Sequence, residues 1–373
     1  MSEAAAAYAG HSAGIDAREL CRPVCFGVSW WNHRAVATLL AQPTWRPPFY
    51  DTFGDALERA ATITGDLVAW AAKLTPEDEA AAAARGVRVI RIEDGFLRSV
   101  GLGAGLTSGG SYVLDGRGIH YDGSRASDLE HLLETADVTP EQRARGLRLV
   151  DSIRQARLSK YNVGRRARSS VPGGGILVPG QVAGDAAVAH AQEHLASGAG
   201  EANPNLALLK AVRARNPAAV IVYRPHPDVA AGLRPGRIAR ANALTYANHV
   251  AADADIADLL DAAQRVETLS SLTGFEALLR GKPVAVHGLP FYAGWGLTED
   301  LIASPRRTRR RTLDEVVYLT LVAYCRYVDP AARRVRTAEE QVARLAQQRQ
   351  TRRHVLEQKT RQHLSWLGRR LGL

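Results

Sequence analysis

Short apolar runs alternate with helix-patterned segments along most of this chain, and that alternation narrows the fold more than any other feature. Asp66–Lys73 (DLVAWAAK) is apolar and short, as a buried strand should be. Pro76–Gly86 (PEDEAAAAARG) opens on proline and acids and closes on glycine, so it reads as a helix with negative charge at its first turn. Val87–Gly95 (VRVIRIEDG) is a strand again. A helix-length connection between neighbouring strands points to a parallel sheet with helices on its faces. Cys21–Trp31 (CRPVCFGVSWW) reads as an earlier buried strand running into a turn. Ser111–Gly123 (SYVLDGRGIHYDG) alternates like a hairpin about Asp115-Gly116.

Thr139–Ser159 is patterned as an amphipathic helix, and Arg165–Gly175 (RRARSSVPGGG) has the composition of a linker. The alternation then restarts. Gly175–Gln181 and Ala218–Asp228 are strands, and Pro204–Pro217 is a helix. Ile256–Ser271 runs from helix into strand, and Thr273–Gly288 does the same. The expected fold class is α/β, with two Rossmann-like domains facing a central cleft. The expected boundaries are 1–168, 169–305 and a basic C-terminal segment, 306–373.

A net charge of +10 invites a nucleic-acid reading, but its placement argues against one. Arg333–Leu373 holds eleven Lys and Arg against three Glu, and Arg306–Arg311 (RRTRRR) adds +5. The remaining residues sum to −3. The expectation is therefore an appended basic patch on a mildly acidic body, with no nucleic acid as partner. Three cysteines (Cys21, Cys25, Cys325) without a His/Cys cluster suggest neither a disulfide framework nor zinc, which suits a reducing compartment. No apolar run approaches the roughly 20 residues of a membrane span, and MSEAAAAYAG lacks the pattern of a signal peptide. The chain is expected to be cytoplasmic.

In open α/β sheets the ligand crevice lies beyond the C-terminal strand ends. Four such ends carry polar residues here: Glu93–Gly95, Pro179–Asp185, Arg224–Asp228 and Ser270–Glu276. In RPHPD, Pro225 and Pro227 fix the backbone around His226. An imidazole held beside Arg224 suits a phosphate, or else caps a structural turn. Ser270, Ser271 and Thr273 precede a helix expected to begin near Gly274, where anion binding and simple capping share one geometry. Neither GxxxxGK[ST] nor GxGxxG after a strand is present, so the ATPase and dinucleotide readings fall away. Glu93 or Asp94, followed by Gly95, could act as general base or nucleophile, or simply cap a turn. Arg98 lies four residues on, to pair with an acid or hold an acidic substrate.

Six segments, taken in order, carry a specific resemblance: IEDGFLRSVGLGA, YVLDGRGIHYD, LSKYN, ILVPGQVAGD, YRPHPD and SSLTGFEALLRGKPVAVHGLPFYAGWGLTED. Together they resemble the KpsC-type capsule polysaccharide β-Kdo transferases, across most of the chain from about residue 90 onward. The first 85 residues match only loosely, through GVSWW and VAWAAK. The resemblance implies a GT-B-like glycosyltransferase that moves Kdo, an eight-carbon acidic sugar, from CMP-β-Kdo with retention. The implied acceptor is a Kdo-terminated glycolipid at the cytoplasmic face of the inner membrane, with capsule assembly and export proteins as partners. The first domain would hold the acceptor and the second the CMP-sugar. Retention asks for two inversions on carboxylates, implying roles for Asp94 and Asp185, with Glu93 beside them. Donor binding would fall to Gly180, Gln181, Arg224, His226, Pro227, Ser270, Ser271, Thr273 and Glu276. Arg98 and Lys160 would meet the Kdo carboxylate, and Tyr292 and Trp295 would stack on a sugar or pack their own loop. No cofactor and no metal are implied; CMP-Kdo is a substrate.

Thr337 and Glu340 have capping-box spacing, so a terminal helix should start there. Leu364, Trp366, Leu367 and Leu371 beside Arg369 and Arg370 could lie on an anionic bilayer or pack as an ordinary helix. Two other classes stay open on the sequence: a nucleotide-sugar epimerase of the same two-domain fold, and a non-catalytic capsule-assembly scaffold.

Overall fold

A computed structural model describes residues 14–99, 109–160, 174–185, 187–188, 191, 195 and 202–350. The chain builds two sheets. In the first, β1 (Val24–Phe26), β2 (Phe49–Tyr50), β3 (Leu67–Trp70) and β4 (Val89–Asp94) pair in parallel in the order β2-β1-β3-β4. The crossovers are helices, as the alternation required. α1 (Trp30–Leu39) follows β1, α2 (Phe53–Thr62) follows β2, and α3 (Pro76–Ala84) joins β3 to β4. α3 starts on a capping box between Thr75 and Asp78, with proline in its first turn.

The hairpin reading of Ser111–Gly123 is corrected. Only β5 (Ser111–Asp115) is a strand, and its antiparallel partners are β4 and a strand from far along the chain. The Asp115 carboxylate instead accepts the N–H groups of Arg117, Gly118 and Asp128, holding the turn before α4 (Asp128–Thr135). Tyr324 also donates to it at 2.8 Å.

α5 (Pro140–Gln155) leads to the second sheet, entirely parallel. Its strands are β6 (Ile176–Pro179), β7 (Ile221–Arg224), β8 (His249–Val250), β9 (Arg265–Thr268), β10 (Val284–Val286) and β11 (Glu299–Asp300), ordered β11-β10-β9-β6-β7-β8. Its helices include α6 (Pro204–Arg215), the single turn α7 (Pro227–Ala230), α8 (Arg240–Tyr246), α9 (Ile256–Ala262) and α10 (Leu272–Leu278). α10 begins at Leu272 on an Ser271 cap, two residues before the expected Gly274. Of the linker-like stretch, residues 165–173 lie outside the described residues.

The chain then returns to the first sheet through α11 (Leu313–Val317) and a π-helical segment, Tyr318–Tyr324. β12 (Cys325–Asp329) pairs antiparallel with β5, β13 (Arg334–Arg336) pairs with β12, and α12 (Ala338–Gln350) follows. The Thr337–Glu340 capping box forms in both directions. Residues 351–373, with Leu364, Trp366, Leu367, Arg369, Arg370 and Leu371, lie outside the described residues. Among those described, no helix is long and apolar enough to cross a membrane.

Arg306–Arg311 is not an appended patch. Arg306 and Arg307 both bind Glu130 of α4, Arg309 binds Asp137, and Thr308 binds Glu134. Arg311 is 5% exposed and donates to the carbonyls of Leu132, Leu133 and Ala136 at the C-terminal end of α4. The run straps the returning chain to the first half. One hydrophobic cluster also spans both halves, from Phe96 and Leu129 to Val266, Phe275 and Phe291. Phe96 and Phe291 sit 4.7 Å apart and Phe275 and Phe291 5.1 Å, so the residue after Gly95 is keyed into the second half.

Candidate functional site

A cavity of about 1500 Å³ opens where the C-terminal strand ends of the two sheets face each other. Every residue expected at the site lines it except Tyr292 and Trp295. Glu93, Asp94 and Arg98 come from the first half. Gly180, Gln181, Asp185, Arg224, His226, Pro227, Ser270, Ser271, Thr273 and Glu276 come from the second, and Lys160 from the connection.

Strand alternation separates the two adjacent acids at the end of β4: Glu93 shares a face with Arg91, and Asp94 shares the other with Ile92. Glu93 accepts the Asp94 N–H at 3.0 Å and the Tyr121 hydroxyl at 3.4 Å. Burial, followed by the charge of Asp94, pushes its carboxyl up to about 7, against smaller opposing pulls from Lys160 and Arg98. Asp94 accepts from the Arg98 Nε at 2.5 Å, and that guanidinium is 2% exposed. The other Asp94 oxygen is buried and has no hydrogen-bond partner among the described residues. The glycine after the acids has a steric cause: a Cβ at Gly95 would lie 2.1 Å from the Ser111 Oγ.

On the second wall, β6 and β9 are neighbours from which the chain runs off in opposite directions, so their ends form a switch-point crevice. Gln181, after β6, bridges it by donating to Ser270 Oγ at 3.0 Å and accepting from Ser270 N–H at 3.0 Å. The Ser270 hydroxyl donates to the Ala187 carbonyl, and Ser271 Oγ accepts the Thr273 N–H as the cap of α10. These polar groups therefore serve first to build the crevice. Gly180 stands where a Cβ would meet the Tyr223 hydroxyl at 2.7 Å, packed against the RPHPD turn. In that turn His226 caps α7, its Nδ1 accepting the Asp228 N–H at 3.2 Å, and Pro227 fills the first helical position. Burial, with the Arg224, Lys160 and Arg234 cations, pushes the imidazole down to about 4. A neutral ring with Nδ1 accepting carries its proton on Nε2.

Arg224 is 8% exposed and bound to the Ala254 carbonyl. Glu276 accepts the Lys160 backbone N–H at 2.8 Å, and burial raises its pKa. It ties the connecting segment to α10. Asp185 pairs with Arg234 at 2.5 Å, both half-exposed. Asp185 lines the cavity together with Tyr121 and Glu93; burial and then the neighbouring Glu93 drive the Tyr121 phenol far above its usual range.

Tyr292 and Trp295 are corrected. Both are fully buried, Tyr292 donating to the Ser271 carbonyl at 2.5 Å and Trp295 to the Phe291 carbonyl at 2.7 Å. Neither can stack on a sugar. Residues that sequence reasoning passed over also line the cavity, among them Tyr121, His120, Arg91, Trp30, Trp31 and Trp70. Tyr121 was masked by the hairpin reading of its segment. The tryptophans stood in GVSWW and VAWAAK, both at strand ends, and that position was the available signal. Among the described residues no cluster of His, Cys, Asp and Glu could hold a metal ion.

A family model described as "Capsule polysaccharide biosynthesis protein" matches residues 66–168 and 148–328. The chain belongs to this capsule polysaccharide biosynthesis family. Its relatives include the capsule polysaccharide modification protein LipA of Neisseria meningitidis serogroup A, 38% identical over 320 residues. That match covers 84% of this chain and 44% of LipA. The lipopolysaccharide-processing protein LpsZ of Rhizobium meliloti is 40% identical over 245 residues, 64% of this chain and 54% of LpsZ. The chain thus spans about half the length of the curated relatives it matches. Two solved structures of Thermosulfurimonas dismutans KpsC are similar. The β-Kdo 2,7 transferase has a TM-score of 0.69 at 31% identity, covering 88% of this chain and 99% of that one. The β-Kdo 2,4 transferase has 0.72 at 29%, covering 87% and 98%. The family assignment and the α/β architecture expected from the sequence both stand.

Proposed function

We propose that this member of the capsule family is a retaining β-Kdo transferase, moving Kdo from CMP-β-Kdo to a Kdo-terminated glycolipid. Its two α/β units would be GT-B-like domains, 1–168 on the acceptor side and 169–305 on the donor side, with 306–373 crossing back. The observation that carries the reading is the shared cavity. Glu93 from the first half and Asp185 from the second both line it, so two carboxylates address one hollow.

Asp185 is the nucleophile in this proposal. Its oxygen bonds to the anomeric carbon as the phosphate oxygen departs with the bonding pair, releasing CMP. Arg224, Lys160 and the His226 Nε2–H meet the phosphate charge, so the reading requires no metal. In the second step the acceptor hydroxyl oxygen attacks the same carbon, the bond to Asp185 breaks, and Glu93 takes the hydroxyl proton. A carboxylate held near 7 is suited to that exchange. Asp94, bound by Arg98, positions that guanidinium for the Kdo carboxylate. A lipid-linked acceptor would set the reaction at the cytoplasmic face of the inner membrane, beside capsule assembly and export proteins.

The test is incubation with CMP-Kdo, generated in place, and a synthetic Kdo-terminated acceptor. Product mass and anomeric NMR should report one added β-linked Kdo. An α-linked product, or an untouched acceptor, contradicts the proposal.

A further inference from the structure

In the first sheet the topological switch point lies between β1 and β3: the chain moves outward to β2, then returns to the other side of β1. Such a point opens a crevice at the strand ends. The proposed chemistry uses β4 and the second sheet and leaves this crevice empty. Three tryptophans flank it. Trp30 and Trp31 begin α1 directly after β1, and Trp70 ends β3. All three line the same cavity as Glu93 and Asp94.

Trp30 is 70% exposed, the most exposed large apolar side chain among the described residues; the others are leucines and valines at 53% or less. It is not loosely placed, since its ring meets Trp31 edge-on at 5.8 Å. The loops on either side are packed together. Gly27, at φ +71°, leaves room for the Lys73 side chain, which a Cβ would approach at 2.9 Å. Asn32 in the first turn of α1 is 2% exposed and accepts from Tyr112, which pairs with Asp94 across the sheet. The tryptophan wall is therefore rigidly tied to the strand end that carries the acids. From β4 to β1 is two strand spacings, about 10 Å. That is about the reach of one further sugar beyond a terminal residue at the acids.

We propose that the β1/β3 crevice is a second acceptor subsite. The sugar behind the acceptor's reacting terminus lays its apolar face against Trp30, with Trp31 and Trp70 as backing. The identity of that sugar as Kdo rests on the transferase reading above; the subsite itself rests on the switch point and the exposed indole. The enzyme then reads its acceptor over two units rather than one.

Calorimetric binding separates this inference from the chemistry. The probes are a synthetic β-linked Kdo disaccharide and the methyl glycoside of a single Kdo, titrated into the whole protein with CMP present. The disaccharide should bind the natural protein more tightly than the monosaccharide. Trp30→Ala should weaken the disaccharide by about fivefold and leave the monosaccharide unchanged, as expected for an aromatic contact of about 1 kcal/mol. Trp30→Phe should restore most of the loss. Because Trp30 is exposed, the alanine variant should melt with the natural protein. Disaccharide affinity that is absent, or insensitive to Trp30→Ala, overturns the subsite. Trp30-dependent binding without any sugar transfer keeps the subsite and overturns the transferase reading instead.

Discussion

Replacing Glu93 with glutamine should make the protein more stable above neutral pH while removing its activity. In the folded chain this carboxyl is raised from 4.5 to about 7, by burial and by Asp94. Such a displacement amounts to a folding cost on the order of 3 kcal/mol once the group is ionised. The sign follows from proton binding. Below the unfolded value of 4.5 the group is protonated in both states and the cost is absent. As pH rises through about 7 the folded state must give up a proton it held more tightly, and stability falls. Glutamine keeps the shape and never pays that cost. Urea unfolding of both proteins at about pH 5 and about pH 8.5 checks this, with m compared to confirm that the same surface unfolds. The variant should gain about 2–3 kcal/mol at the higher pH and little at the lower. An equal difference at both, or a variant less stable at about pH 8.5, refutes the claim that Glu93 is held against its ionised form.

Other outcomes follow from the same contacts. Asp185→Ala should abolish turnover yet change stability by under about 1 kcal/mol, because its pair with Arg234 is half-exposed; a large loss of thermal stability would make its role structural. Arg311→Met should cost about 3 kcal/mol or more, read as a lower urea midpoint, since three helix-end carbonyls lose a buried charged donor. Trp295→Ala should destabilise by about 3–5 kcal/mol, and an unchanged melt with weakened sugar binding would restore it to the site. Transfer activity should rise with pH through about 7 as Glu93 becomes the base, and a profile flat across that range in the natural protein would remove it from proton transfer.

Local rules made part of this molecule legible. Helix-length crossovers between apolar runs forced parallel pairing of the strands they join, and polar residues at the C-terminal strand ends located the cavity. The Thr337 cap was readable because its partner, Glu340, sits three residues away. What stayed hidden depended on distant partners. Arg306–Arg311 reads as a solvated basic run until Glu130, Glu134 and Asp137, more than 170 residues earlier, are brought beside it. Ser111–Gly123 alternates as a hairpin would, yet β5 is completed by β12, and Tyr121 turns toward Glu93 instead of pairing. Tyr292 and Trp295 carry polar atoms that satisfy backbone carbonyls inside the fold, and their residue types cannot distinguish that from a sugar platform. The exposed indole of Trp30 shows the reverse: an aromatic in an apolar-looking segment that packing leaves at the cavity.

The central claim is that acids on facing walls divide one displacement between them. Glu93→Gln, lacking the base for the second step, should accumulate the product of the first. Intact mass after incubation with CMP-Kdo should show one added Kdo residue, and peptide mapping should place it on Asp185. An adduct on Asp94, or none under conditions where CMP is released, would contradict the account.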